Sequence, residues 1–253
     1  MAEMTTSEIA GTTVVVTGAS RGFGRGIAEA LHGAGAHVVG VARSADRLAE
    51  LGDQLGDRFT PVVADATDPY TAGTVIEQYQ PRTLVLNAGA APFNRPIHQH
   101  TWETFSRPWE VDVKQAFHWI REALLAPLFP GSTVITMSSG AALAGSPVSG
   151  GYAGSKATIR FVTGYAAEES ARADLDIRFV SVLPGLTPAT DLGALAVAAY
   201  ARRAGQDVAT FLEGFGPTLT PAQVGKEVVD LATSTDHGPG AYQLTATGLS
   251  AIS

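Results

Sequence analysis

A β-branched run, Thr12 to Thr17, passes without interruption into Gly18-Ala19-Ser20-Arg21-Gly22-Phe23-Gly24, and from there into an alanine-rich helical pattern over about Arg25 to Ala34. Branching at Cβ favours extended backbone, so the first run reads as a strand. Glycine lets the chain reverse tightly, or lets a ligand approach backbone where a Cβ would intrude. The helix that follows offers N–H groups with no partner inside the helix, at the positive end of its dipole. Strand, glycine turn and helix start together make a site for an anion such as a pyrophosphate. The spacing, Gly-x-x-x-Gly-x-Gly, carries little weight as isolated text. It gains weight by opening a chain that goes on alternating strand and helix.

The later apolar runs are His37 to Val41, Phe59 to Ala64, Thr83 to Leu86, Thr133 to Met137, Ile177 to Leu183 and Ala241 to Ala246. Helical patterns lie between them. They cover Ala45 to Leu55, a segment opened by Pro69, Trp102 to about Leu125 with a kink or start near Pro108, and Gly150 to about Ala173. Two more cover Leu192 to Arg203 and Pro221 to Ala232, with a mobile connection expected around Gly214-Phe215-Gly216. Continuous apolar strands alternating with helices predict an α/β fold, a doubly wound parallel sheet covered by helices on both faces. The length, 253 residues, suits a single domain over 1–253. Ligands in such sheets lie beyond the carboxyl ends of the strands. Gly18, Ala42, Asp65, Asn87, Ser139 and Pro184 all close strands on that side, so one rim should gather them.

Composition narrows the function classes. There is no cysteine, which removes disulfides, thiol nucleophiles and thiolate metal sites. A net charge of -7 argues against nucleic acid as a partner. The apolar runs fall short of the roughly 18 residues of a membrane span. The acidic start lacks the basic and apolar regions of a secretory signal, so a cytoplasmic enzyme with no membrane partner is expected. His98 and His100 have no companion ligands nearby and read as solvated, so no metal is expected.

The chemistry concentrates between Val134 and Lys156. Tyr152 and Lys156 are four residues apart and share a helix face. An unperturbed phenol titrates at about 10, too high for acid–base work at neutral pH. An ammonium beside it stabilises phenolate and lowers that value. Ser139, at the end of a strand, is positioned to hydrogen-bond the same substrate oxygen. A Tyr-x-x-x-Lys pair is also common by chance, so alone it leaves an ordinary helix tyrosine and a solvated lysine as the simpler account. Cofactor choice rests on the end of the second strand. An acid there would bind a ribose 2'-hydroxyl, but Ala42 stands in its place and Arg43 follows. A guanidinium suits a 2'-phosphate, with Arg21 reaching it from the glycine turn, so NADP(H) is favoured over NAD(H). Two solvated surface arginines are the competing account.

Thr17-Gly18-x-x-x-Gly22-x-Gly24, Asp65, Asn87-Ala88-Gly89, Ser139, Tyr152-x-x-x-Lys156 and Pro184-Gly185 follow one another in the order seen in the short-chain dehydrogenase/reductase family, which nearly the whole chain resembles. The resemblance implies a Rossmann-type sheet of about seven strands carrying NAD(P)(H). It also implies hydride transfer between the nicotinamide and a ketone or aldehyde, with a small-molecule carbonyl or alcohol as substrate. Carried over by position, Tyr152 is the general acid or base, Lys156 tunes it and holds the nicotinamide ribose, and Ser139 orients the carbonyl. Gly18, Ser20, Arg21, Gly22, Phe23 and Gly24 line the pyrophosphate turn. Asp65 meets the adenine, and Asn87, Ala88 and Gly89 lie along the cofactor, with Pro184, Gly185 and Thr187 beyond them.

Three positions depart from the family. Asp112 replaces its usual fourth catalytic residue, an asparagine that holds a relay water through its backbone carbonyl. The buried carboxylate either pairs with Lys156, stays protonated, or is a bystander. Ala189 stands where a threonine is expected to touch the carboxamide, with Thr187 and Thr190 nearby. Thr247-Gly248-Leu249 replaces the usual Asp-Gly-Gly ending. The segment 186–216 should wall the substrate, with Phe93, Leu143, Leu192, Leu195 and Tyr200 as apolar lining. Two alternatives stay open: a catalytically impaired NADP-binding regulator, and an isomerase or dehydratase using the nucleotide transiently. A homodimer or homotetramer is expected, built on the Trp102 and Tyr152 helices.

Overall fold

The computed structural model describes residues 9–234 and 236–252. Eight strands form one sheet: β1 (Thr13–Thr17), β2 (His37–Ala42), β3 (Phe59–Val63), β4 (Thr83–Leu86), β5 (Thr133–Met137), β6 (Arg178–Pro184), β7 (Gly240–Thr245) and β8 (Gly248–Ile252). Their order is β3-β2-β1-β4-β5-β6-β7-β8, with β1 to β7 mutually parallel. The sheet exceeds the expected number of about seven because β8 folds back antiparallel on β7 across Ala246-Thr247. The order reverses between β1 and β4, and a crevice opens at such a switch point above the strand ends.

The central strands β1, β2, β4, β5 and β6 are buried on both sides, and successive residues feed opposite cores. Val14 and Val16 of β1 join Ile27 and Leu31 of α1 (Gly22–Gly33), Leu48 and Leu51 of α2 (Ala45–Leu55), and Val224, Val228 and Leu231 of α10 (Pro221–Thr233). Val15 faces the other way. It joins Val75 and Ile76 of α3 (Pro69–Tyr79), Trp119 and Ile120 of α5 (Lys114–Leu125), and Ile159 of α7 (Gly150–Arg172). Helices α1 and α10 touch backbone to backbone, since a Cβ on Gly225 would lie 2.3 Å from the Gly26 carbonyl oxygen.

The expected bounds of α2 coincide with the observed ones. Helix α1 starts earlier than expected because Gly22 to Gly24 are already helical. Pro108 ends α4 (Trp102–Pro108), and a π turn, Trp109–Val113, joins it to α5. Helices α6 (Ala141–Ala144), α8 (Asp191–Ala204) and α9 (Val208–Glu213) flank the crevice. Among the described residues no helix is long and apolar enough to cross a membrane.

Candidate active site

A single cleft of about 1050 Å³ runs over the carboxyl ends of the strands. Of the apolar substrate lining expected from sequence, Leu192, Leu195 and Tyr200 line it and Phe93 and Leu143 do not. Every catalytic or cofactor-binding residue expected from sequence lines it, with one exception. The exception is Gly24. A Cβ there would sit 2.1 Å from the Gly18 carbonyl oxygen, so Gly24 lies behind the turn and holds its shape rather than facing a ligand. Gly18 has φ of +69°, and its Cβ would lie 2.9 Å from both Ala88 Cα and Asn87 Nδ2. The turn therefore nests against the end of β4. Asn87 Nδ2 donates to the carbonyls of Thr17 (3.2 Å) and Gly18 (3.4 Å). The N–H groups of Asn87 and Ala88 converge on Thr17 Oγ1 at 2.9 and 3.0 Å. Asn87 thus braces two strand ends from the side.

The catalytic candidates meet where β5 hands over to α7. Ser138 Oγ donates to the Lys156 carbonyl at 2.7 Å, tying α7 to the strand end. Gly151 lets the start of α7 settle on α4, since a Cβ there would be 2.0 Å from the Phe105 carbonyl. Tyr152 in the first turn and Lys156 one turn later then face the cleft, with the ammonium 5.5 Å from the centre of the phenol ring. Ser139 accepts from the Ala141 N–H at 3.2 Å and hydrogen-bonds Tyr152.

Asp112 is buried in the π turn and takes the first of the roles open to it. Its Oδ2 lies 3.0 Å from Lys156 Nζ, with side chains 1% and 6% exposed, and its Oδ1 accepts from the Ala90 N–H at 2.7 Å. The contact at Oδ2 is an ion pair whose approach angle falls short of a well-formed hydrogen bond. Lys156 also donates to the Met137 carbonyl at 3.0 Å. Burial by itself would lower the lysine pKa, but Asp112 and the phenol outweigh it, and the net direction is up.

Tyr152 departs from expectation. Its ring is only half-buried, yet the crowding of protein around it pushes the phenol above its ordinary value. Lys156 and the Ser139 hydrogen bond pull it down, while Asp112 pushes it up. The downward pull of the ammonium was legible in sequence. The desolvation and the carboxylate that outweigh it were not.

Arg43 is exposed and makes no hydrogen bond or ion pair among the described residues. Arg47, one turn further on, lines the same end of the cleft and was missed, although its spacing from Arg43 is a readable signal. Arg21 turns elsewhere, to Asp191 Oδ2 at 3.2 Å, so it bridges the glycine turn and α8. Asp65 accepts from the Thr67 backbone and hydroxyl at 2.9 Å each. These bonds, with Arg43 and Lys114 nearby, hold its carboxyl below the usual range against the effect of burial. Thr187 is buried. Its hydroxyl donates to the Leu219 carbonyl at 2.5 Å and accepts from the Ala189 N–H, so it braces the segment rather than offering a free group. Thr190 caps α8 through Gly193 N–H at 3.1 Å. His100 bonds Thr104 and the Arg95 carbonyl, a loop brace. No group of three or more potential metal ligands occurs among the described residues.

The cleft fits a dinucleotide. Its turn has no room for a Cβ, its helix start faces the opening, and unpartnered guanidinium lies where an acid is missing. Fold and rim together define a nicotinamide-dependent oxidoreductase of the Rossmann class. The sequence profile of the short chain dehydrogenases matches residues 12–200, and the chain belongs to that family. A probable NADP-dependent dehydrogenase of Haemophilus influenzae is 36% identical over 194 residues, covering 71% of this chain and 73% of that one. L-sorbose reductase from Gluconobacter frateurii, solved with NADPH and L-sorbose, superposes with a TM-score of 0.78 at 26% identity over 94% of this chain and 96% of that one. A 3-ketoacyl-(acyl-carrier-protein) reductase from Brucella melitensis, solved with NADH, is similar in fold, with a TM-score of 0.77 at 22% identity over 93% and 97% of the two chains.

Proposed function

We propose that this chain is an NADP(H)-dependent carbonyl reductase and alcohol dehydrogenase, with Tyr152 as the group that moves the proton. The observation that carries the reading is the cluster of Tyr152, Ser139 and the Asp112–Lys156 ion pair in one cleft. The nicotinamide, when bound, supplies or takes the hydride. Tyr152 Oη gives its proton to the carbonyl oxygen, and Ser139 donates a hydrogen bond to the same oxygen as negative charge develops there. Lys156 stays charged, eases loss of the phenol proton, and offers its remaining N–H to a ribose hydroxyl. Asp112 touches neither substrate nor phenol; it holds the lysine, and its charge pushes the phenol pKa up. A raised pKa keeps the phenol protonated at neutral pH, the form that reduction uses. Preference for NADP(H) rests on Arg43 and Arg47 beside Ala42, and the relative from Haemophilus influenzae carries an NADP-dependent name. Arg21 contributes less, being held by Asp191.

The experiment is Tyr152→Phe, followed by NADPH absorbance over a carbonyl panel. Turnover should vanish while NADPH binding stays within about twofold, because the ring and its packing are kept. Turnover at the original rate would reject the assignment. NADPH binding by the unaltered protein with no turnover on any carbonyl would favour the regulator. The proposal includes a homo-oligomer, since Phe161 and Tyr165 on α7 and Phe117 on neighbouring α5 are exposed aromatics; light scattering checks it. Cytoplasmic residence belongs to the same proposal and rests on the cysteine-free, acidic composition.

A further inference from the structure

Charge is unevenly distributed along the cleft. Arg21, Arg25, Glu29, Arg43, Arg47 and Asp65 all lie on the glycine turn, on α1, or beyond the ends of β2 and β3. Asp112 and Lys156 neutralise each other at the centre, and Asp191 is paired with Arg21. The half walled by the loop after Ser139, α8 and α9 presents no other ionisable acid or base.

What it presents is largely apolar. Tyr200 and Phe211 stack with ring centres 6.4 Å apart and planes 6° from parallel, and Phe215 follows at 5.0 Å. Helix α9 buries none of its residues, so Phe211 is held on the cleft wall rather than in the core. Leu195 lines the same wall with 56% of its surface exposed. The polar groups here largely satisfy one another. Tyr200 Oη bonds Ser146 Oγ at 2.6 Å, and Ser146 Oγ also bonds Ser149 Oγ at 2.7 Å and accepts the Ser149 N–H at 3.1 Å. Asn94 Oδ1 is the exception, a buried acceptor in the cleft lining with no partner among the described residues.

We infer that this half of the cleft takes an uncharged carbonyl compound whose larger substituent is flat and apolar, an aryl or alicyclic ketone or aldehyde. The inference rests on the reductase reading above and names its substrate class. A flat ring buries well against the Tyr200–Phe211–Phe215 wall. A carboxylate or phosphate would lose its water there with no cation to meet it. A polyol would bring several hydroxyls to a wall where Tyr200, Ser146 and Ser149 are already engaged with one another.

The test uses the protein with saturating NADPH and three compounds: acetophenone, 4-acetylbenzoate and dihydroxyacetone. The first two differ by one carboxylate. kcat/KM for acetophenone should exceed that for the acid by about 100-fold and that for dihydroxyacetone by about tenfold. An acid or polyol reduced as well as acetophenone overturns the substrate class and leaves the reductase reading standing. If none is reduced, the wider carbonyl panel with Tyr152→Phe as control decides the reductase reading. Calorimetric titration of the same compounds into the protein–NADPH complex then still decides the pocket. Acetophenone binding tighter than the acid supports the inference, and any other order, including no binding, overturns it. Leu195→Arg should raise the acid-to-ketone ratio by about tenfold at unchanged NADPH affinity, since it supplies the missing cation. An unmoved ratio counts against the placement of the substrate.

Discussion

Asp112 stands where an asparagine is usual, and the difference is one negative charge 3.0 Å from the ammonium that tunes the phenol. The carboxylate pushes the Tyr152 pKa up and Lys156 pulls it down. In Asp112→Asn the upward push is gone and the lysine acts undiminished, so the phenol should lose its proton at lower pH. Reduction needs the protonated phenol. Its alkaline limb in kcat/KM should therefore move down by about one pH unit, and the onset of alcohol oxidation should move down with it. The carbonyl–alcohol equilibrium itself is untouched. Limbs that stay in place would show that the carboxylate does not act on the phenol. A second residue prediction concerns the cofactor: Arg43→Ala should weaken NADPH by about tenfold and NADH hardly at all, measured by fluorescence titration. Equal losses would remove Arg43 from the 2'-phosphate. Tyr152, Lys156, Ser139 and Arg43 were legible because short spacings place them. Asp191 as the partner of Arg21, and Asn94 as a buried acceptor, were not. Those facts depend on where distant loops cross, which no local pattern encodes.

The strand–turn–helix opening works as one unit, and its tolerance can be read from one atom. A Cβ at Gly24 would overlap the Gly18 carbonyl, which is backbone and cannot swing aside. Gly24→Ala should open the turn and weaken NADPH by about tenfold or more. The circular dichroism spectrum should stay near that of the parent, because the parallel sheet does not depend on the turn. A parental Kd would show that the turn has slack. Elements with strong patterns were visible from residues alone: β1 to β6 lie within a residue or two of expectation, and α2 coincides. Helix α9 was missed because it is only six residues long, too short for the stripe of Val208, Phe211 and Leu212 to stand out from a loop. Strand β8 was missed because it is an edge strand with no buried residue, opened by a positive-φ Gly248 that reads as a turn. The kink near Pro108 was anticipated, but its form, a π turn that carries Asp112 to Lys156, follows from packing against α7.

At the scale of the molecule, the sheet separates two apolar reservoirs, one under α1, α2 and α10, the other under α3, α5 and α7. Continuous apolar runs in the strands foretold a two-sided core. The side each residue takes follows from register, which adjacent strands fix together. Trp119, fully buried with Nε1 donating to the Ala66 carbonyl at 2.9 Å, belongs to one reservoir, and Leu231 to the other. Trp119→Ala should destabilise by about 3–5 kcal/mol and Leu231→Ala by about 2–5 kcal/mol in urea unfolding. The double variant should lose the sum to within about 0.5 kcal/mol, since no side chain is shared between the two sites. A marked shortfall or excess would mean that damage crosses the sheet. A hydrogen-bonded bulkhead of this kind confines injury to the compartment where it occurs. Lineages of this chain can then rework the helices beneath one side while the other keeps the strand tips, and the cleft above them, in alignment.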